Sequence, residues 1–164
     1  MKSLIFHNEH AGELSLSEVL SAIKAFLEED PQSSYSLVIG TDSHEREVRQ
    51  TINVVTAIVV HRRGFGGKYY WKKETVENIH TLRQKIYAET IASLDFARDF
   101  VPVLKKELNG TLPSYDLEIH VDVGERGATR EMIKEVVGMV TGYGFVAKTK
   151  PDAYAASYVA DKHT

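Results

Sequence analysis

Three stretches between residues 34 and 73 have strand character, and no helical period separates them. Segment 34–44 (SYSLVIGTDSH) is apolar enough for a buried strand, 51–61 carries the β-branched residues Ile52, Val54, Val55, Thr56, Ile58, Val59 and Val60, and 68–73 is short and aromatic. GFGG at 64–67 joins the second to the third with glycines that tolerate positive φ, so these two form a hairpin. Strands joined this closely pair antiparallel. Beyond residue 81 the apolar period changes from two to 3.6. Thr81 caps a long helix running to about Phe100, interrupted at Pro102 and resumed to Leu108. A turn at Asn109-Gly110 leads to a strand over 115–123. A helix capped by Thr129 follows, with Met132, Ile133, Val136, Val137 and Val140 on one face, then a short strand at 144–149 and a last helix over 152–162 behind Pro151. The order β-β-β-α-β-α-β-α predicts an α/β fold with a mixed five-stranded sheet and helices on both faces.

An additional helix precedes this unit. Leu16, Val19, Leu20, Ile23, Phe26 and Leu27 keep helical spacing over 15–29, Ser15 and Glu18 form a capping box, and Asp30-Pro31 ends the element. A length of 164 residues predicts one domain over 1–164. The net charge of −3 excludes a global positive field, so a polyanionic partner needs a local patch. The absence of cysteine excludes disulfides, thiolate nucleophiles and Cys-based zinc sites, and makes the cytoplasm the expected compartment. No stretch approaches the roughly 18 apolar residues of a membrane span, so no membrane partner is expected.

Alternation in 34–44 puts Leu37, Ile39 and Thr41 on one face and Val38, Gly40 and Asp42 on the other; in 115–124 Glu118, His120 and Asp122 share a face opposite Leu117, Ile119, Val121 and Val123. Both Asp42 and Asp122 thus end apolar strands. Taken singly, each is accounted for as a turn residue or helix cap. Glu89 changes the reading. It lies near the middle of the inward stripe formed by Leu82, Ile86, Ser93, Phe96, Ala97 and Phe100, where a carboxylate breaks the binary pattern. The bland alternative is a side chain that snorkels or pairs with Lys85 one turn earlier.

The element order and the acids, together with VIGTDSH (38–44), IHVDVGERGATREMIKEVVGMVTGYGF (119–145) and KPDAYAASYVADKHT (150–164), resemble the YkuK-type bacterial ribonuclease H-like family over most of the chain. That resemblance implies the ribonuclease H-like fold, with helix 15–29 as an addition. It also implies a predicted nuclease activity whose carboxylates Asp42, Glu89 and Asp122 bind Mg²⁺ or Mn²⁺, with small residues following the helix acid, as in Glu89-Thr90-Ile91-Ala92-Ser93. The final ligand of the superfamily often opens the last helix, which implies Asp152; Asp161 in SYVADK is the alternative. Nine residues at about 100° each put the two on opposite sides of a helix, about 13 Å apart in rise, so only one reaches the metals.

Hard cations prefer oxygen ligands, and a pair of them can activate water and stabilise the leaving oxygen of a phosphodiester. The leading expectation is therefore a divalent-metal-dependent phosphodiester hydrolase of nuclease type. The alternatives are a non-catalytic module binding nucleic acid or protein, and a hydrolase of small phosphate esters. For nucleic acid, the candidate contacts are Arg62, Arg63, Lys68, Lys72 and Lys73, interleaved with Phe65, Tyr69, Tyr70 and Trp71, and weighed evenly against a solvated hairpin with lysines guarding a sheet edge. Arg126 or Arg130, beside the GERGAT turn at 124–129, is a further candidate for a phosphate. GFGGK sits between strands and is not a phosphate-binding loop. His7 and His10 lack an element to make them ligands, and His44 and His120 read as hydrogen-bonded structural residues.

Overall fold

The computed structural model describes residues 4–46, 50–110 and 115–153. Its elements run β1 (Ile5–Asn8), β2 (Gly12–Ser15), α1 (Leu16–Glu29), β3 (Tyr35–Glu45), β4 (Ile52–Arg62), β5 (Gly66–Val76), α2 (Leu82–Leu108), β6 (Tyr115–His120), a 3-10 turn (Arg130–Met132), α3 (Ile133–Gly142) and β7 (Val146–Lys148). The sheet is mixed, in the order β2-β1-β5-β4-β3-β6-β7. β3, β4 and β5 pair antiparallel, whereas β6 lies parallel to both β3 and β7.

The sheet has seven strands, not five, because the N-terminal segment forms a hairpin that extends it beyond β5. Each of its strands is four residues long and mostly exposed, with only Phe6 buried. Such short polar strands carry little alternation. The turn signal was nevertheless present: the Asn8 side chain accepts from the backbone N–H groups of His10 and Ala11, and Gly12 takes φ +73°. His7 therefore has a strand context after all, opposite Trp71 of β5.

One face of the sheet presents Leu37, Ile39, Ile58, Val60, Tyr70 and Ile119 to a core completed by Ile23 and Leu27 of α1, Phe100 and Leu104 of α2, and Val136 and Val140 of α3. Truncating a residue buried like Leu104 to alanine costs about 2–5 kcal/mol. The other face carries a smaller apolar group of Val55, Ala57 and Trp71. The three described helices all join the first face. The last helix expected, 152–162, lies outside the described residues except for its first two positions; Asp152 stands in a turn and Ala153 follows it. No helix among the described residues is long and apolar enough to cross a membrane.

Pro102 does not interrupt α2, which is continuous. Proline removes the N–H that would bond to the Arg98 carbonyl, but both residues are exposed, so water can satisfy that oxygen while Val101 and Leu104 remain packed. At the other end Thr81 and Gln84 close a capping box that fixes where the helix begins, and hence where Glu89 falls.

Candidate metal centre

β3 lies between β4 and β6, and its ladder with β6 ends at the pair Gly40–His120. Asp42 and Asp122 each come two residues later, beyond the last pair, where no backbone ladder separates them. Glu89 arrives from α2, which can approach β3 closely because the facing residues are small. A row of hydroxyls joins helix to sheet, with Thr41 Oγ1 at 2.7 Å from Ser93 Oγ and 3.1 Å from Thr56 Oγ1. One turn before Ser93, Glu89 is 4% exposed and accepts a 2.6 Å hydrogen bond from Ser43 Oγ at Oε1.

The outcome is a convergence of three carboxylates from three elements. One oxygen each from Asp42, Glu89 and Asp122 lies within 4.8 Å of the others. Burial pushes the Glu89 carboxyl up to about 8; the Ser43 hydrogen bond opposes this, and the negative charges of Asp42 and Asp122 reinforce it against the pull of Lys85. Asp42 accepts from the Ser43 backbone N–H at 2.9 Å. Lys150 Nζ lies 2.6 Å from Asp122 Oδ1, and this contact, with Asp42 and Glu89 nearby, holds its ammonium above the usual lysine range.

These residues fit a divalent cation. All the donors are carboxylate oxygens, the chemistry that Mg²⁺ and Mn²⁺ prefer. Two oxygens on one Mg²⁺ at about 2.1 Å are separated by at most about 4.2 Å. The observed limit of 4.8 Å is within a small side-chain adjustment of that.

The late acids are placed differently. Asp152 is exposed in the turn after β7, its N–H bonded to the Thr149 carbonyl at 2.8 Å, and it is not among the three converging acids. Asp161 lies outside the described residues.

The basic hairpin is divided by strand direction. Arg62 pairs with Tyr35 and Asp42 with Val55, so the β4–β5 turn sits at the end of β3 opposite the carboxylates, about 23 Å away over seven residues. Arg62 is committed there: its Nη2 donates to the Phe26 carbonyl at 2.7 Å and to Glu29 at 3.2 Å, its Nε to Tyr35 Oη at 3.0 Å, and its guanidinium covers the Phe26 ring. Arg63 pairs with Asp116, and the Lys68 ammonium lies over Phe26. Trp71 is only 9% exposed and stacks on His7, so its ring offers no platform for a base. The strand returns towards the carboxylates at its far end. Lys73 pairs with Val55, which pairs with Asp42, and alternation puts Lys73 on the Asp42 side; Lys72 lies on the other side, over Phe96. Arg126 is exposed in the loop that follows Asp122.

That loop also departs from expectation, because Thr129 makes no side-chain cap and instead accepts from the Gly124 N–H at 3.2 Å. His120 Nε2 lies 3.0 Å from Glu118 Oε2, while His44 and His10 are exposed. Ser43 and Lys150 are participants that the sequence reading missed. Gly124 packs against the lysine stem: a Cβ there would lie 3.0 Å from Lys150 Cβ and press on it. Ser43, adjacent to Asp42, shares by alternation the face of Thr41 and so faces α2.

A family model described as ribonuclease H-like matches residues 18–164. Over 170 aligned residues the chain is 35% identical to a Bacillus subtilis (strain 168) protein named "Uncharacterized protein YkuK", covering 99% of this chain and 98% of that one. A solved structure, "Crystal structure of Prototype Foamy Virus Protease-Reverse Transcriptase (native)", is similar with a TM-score of 0.38 and 14% identity, over 80% of this chain and 20% of that one, so the chain spans about a fifth of its length. With a family model across most of its residues and a relative along nearly all of them, the chain belongs to the ribonuclease H-like family, of the YkuK type.

Proposed function

We propose that this chain is a divalent-metal-dependent phosphodiester hydrolase of nuclease type, in which Asp42, Glu89 and Asp122 hold Mg²⁺ or Mn²⁺. The observation that carries this reading is the convergence of their oxygens within 4.8 Å, one of them on a buried helix position where packing alone favours an apolar residue. When bound, the cation supplies an activated water and neutralises charge at the phosphorus. Asp42, Glu89 and Asp122 would hold the cation through their carboxylate oxygens. Ser43 orients the Glu89 carboxyl by its hydrogen bond at Oε1. Lys150, paired with Asp122, is the positive side chain placed to meet a substrate phosphate oxygen at the site. Asp152 and Asp161 are the alternatives for a fourth acid. For a nucleic-acid substrate, Lys73 and Arg126 are the contacts whose positions suit the backbone near the site.

One observation favours a second reading, the non-catalytic binding module. An internal ammonium already compensates part of the carboxylate charge, as it would in a site that has no metal. Mn²⁺ titration with thermal unfolding separates the two, backed by cleavage assays on RNA, DNA and hybrid substrates. Metal-dependent stabilisation with cleavage supports the hydrolase; neither supports the binding module.

A further inference from the structure

Cavities among the described residues differ in charge. One of about 270 Å³ beside α2 is lined by Glu74, Asp95 and Asp99 against Lys72, and one of about 370 Å³ at the hairpin end sets Lys68 against Glu9. A larger one, of about 480 Å³, opens at the carboxylate end of the sheet, between the ends of β3 and β4 and the start of α2. There Arg46 and Lys85 contribute fixed positive charge, with His80 beside them, and Glu45 is the one carboxylate among the described lining residues. On a chain of net charge −3, a concave surface with an excess of cations selects an anion.

Ligand pockets range over roughly 300–1,000 Å³, so this one admits an organic group together with the anion it carries. Leu82 supplies a surface for that group: it is a large apolar side chain left 45% exposed at the first position of α2, and Ile79 lines the same cavity. The loop that carries Ile79 is anchored, because its N–H donates to the Gln50 carbonyl at 2.9 Å.

The cavity adjoins the carboxylate cluster on two elements. Lys85 is one helical turn before Glu89, about 6 Å in rise, and its charge acts on that carboxyl. Glu45 is three residues past Asp42, about 10 Å along β3. A substrate whose phosphodiester lies at the three acids has room for its neighbouring unit in the cavity.

From this juxtaposition we infer that the cavity is a binding site for one nucleotide of a nucleic-acid substrate, its phosphate at Arg46 and Lys85 and its base against Ile79 and Leu82. Its placement beside the bond to be cut rests on the proposed function; the binding site itself does not.

Binding is tested on the full wild-type chain in EDTA, by calorimetry with adenosine 5′-monophosphate, adenosine and inorganic phosphate in separate arms. Saturable binding of the monophosphate is expected, tighter than that of adenosine or phosphate, because only the monophosphate meets both parts of the wall. Arg46→Gln and Lys85→Gln each weaken it about tenfold, the scale of one lost charge-assisted contact, and Leu82→Ser narrows the gap between monophosphate and phosphate. Arg83→Gln, on the same helix but outside the cavity and paired with Glu135, leaves the affinity unchanged and so separates contact from general charge. Circular dichroism confirms that the variants fold. No monophosphate binding, phosphate or adenosine bound as tightly, affinity unchanged in both Arg46→Gln and Lys85→Gln, or Arg83→Gln as damaging as Lys85→Gln overturns the proposal. In cleavage assays with Mg²⁺, Arg46→Gln raises KM for the nucleic acid that is cut more than it lowers kcat. An unchanged KM overturns the placement beside the bond to be cut. Monophosphate binding with no cleavage of any strand contradicts the hydrolase reading and leaves the binding site standing.

Discussion

The two ends of strands β3 and β4 use charge in opposite ways. At the hairpin end, Arg62 is surrounded by acceptors, the Phe26 carbonyl, Glu29 and Tyr35 Oη, and Arg63 meets Asp116. At the carboxylate end, three acids converge on one another, and Lys150 compensates them from a side chain that is 57% exposed. The first arrangement stabilises the native state by itself. The second leaves negative charge to be neutralised by a proton or a cation, which is the pattern expected where function overrides stability.

The largest effect that sharpens this contrast is on chemistry. Asp122→Asn keeps shape while removing ligand charge, so metal-dependent cleavage is lost, Mn²⁺ no longer raises Tm as in the wild type, and metal-free Tm stays level or rises. Equal cleavage by wild type and mutant places the reaction elsewhere.

Next in size is the pH dependence of the metal-free protein. Unfolded, Glu89 ionises near its ordinary value of 4.5; folded, burial keeps it protonated up to about 8. The contribution of Glu89 to the folded state is thus fullest below pH 4.5, and it is lost as pH rises towards 8, at up to about 1.4 kcal/mol per pH unit. Urea unfolding in EDTA at several pH values measures this slope, and Glu89→Gln removes the part of it due to this carboxyl. A slope unchanged by the substitution assigns it to other groups.

At the opposite end Arg62→Ala lowers stability, because it leaves the partly buried Phe26 carbonyl and Tyr35 Oη without their donor, yet cleavage proceeds at the wild-type rate. A cleavage defect with normal stability breaks the division between the two ends. Smallest is Lys150→Met. The exposed ion pair contributes about 0–1 kcal/mol to stability, but its removal frees Asp122, so the Mn²⁺ concentration needed for half-maximal stabilisation falls. A higher requirement for Mn²⁺ shows that the lysine assists the cation instead of competing with it.

Much of the carboxylate cluster was legible because its acids violate local rules. Asp42 and Asp122 end apolar strands, and Glu89 interrupts an apolar helix stripe; each can be found by counting residues along one element. Lys150 and Ser43 obey the rules of exposed and strand-end residues, so only the tertiary structure reveals them. The hairpin patch misled for a related reason. Composition grouped Arg62, Arg63, Lys68, Trp71, Lys72 and Lys73, but an antiparallel turn sends the early members of such a group to one end of the sheet and the late members to the other. The β1–β2 hairpin escaped because four-residue strands with mainly exposed side chains lack the alternation that identifies longer ones.

The three converging acids come from β3, α2 and the end of β6, far apart in the chain. A fragment containing any one of these elements has a single member of the set, and no local turn or helix can assemble the others. The cluster therefore exists only in molecules that have completed their long-range strand pairing, so uptake of the proposed cation would serve as a clock for that event. In a refolding experiment, Mn²⁺ binding should trail the appearance of helical signal and coincide with the final closure of β6 against β3.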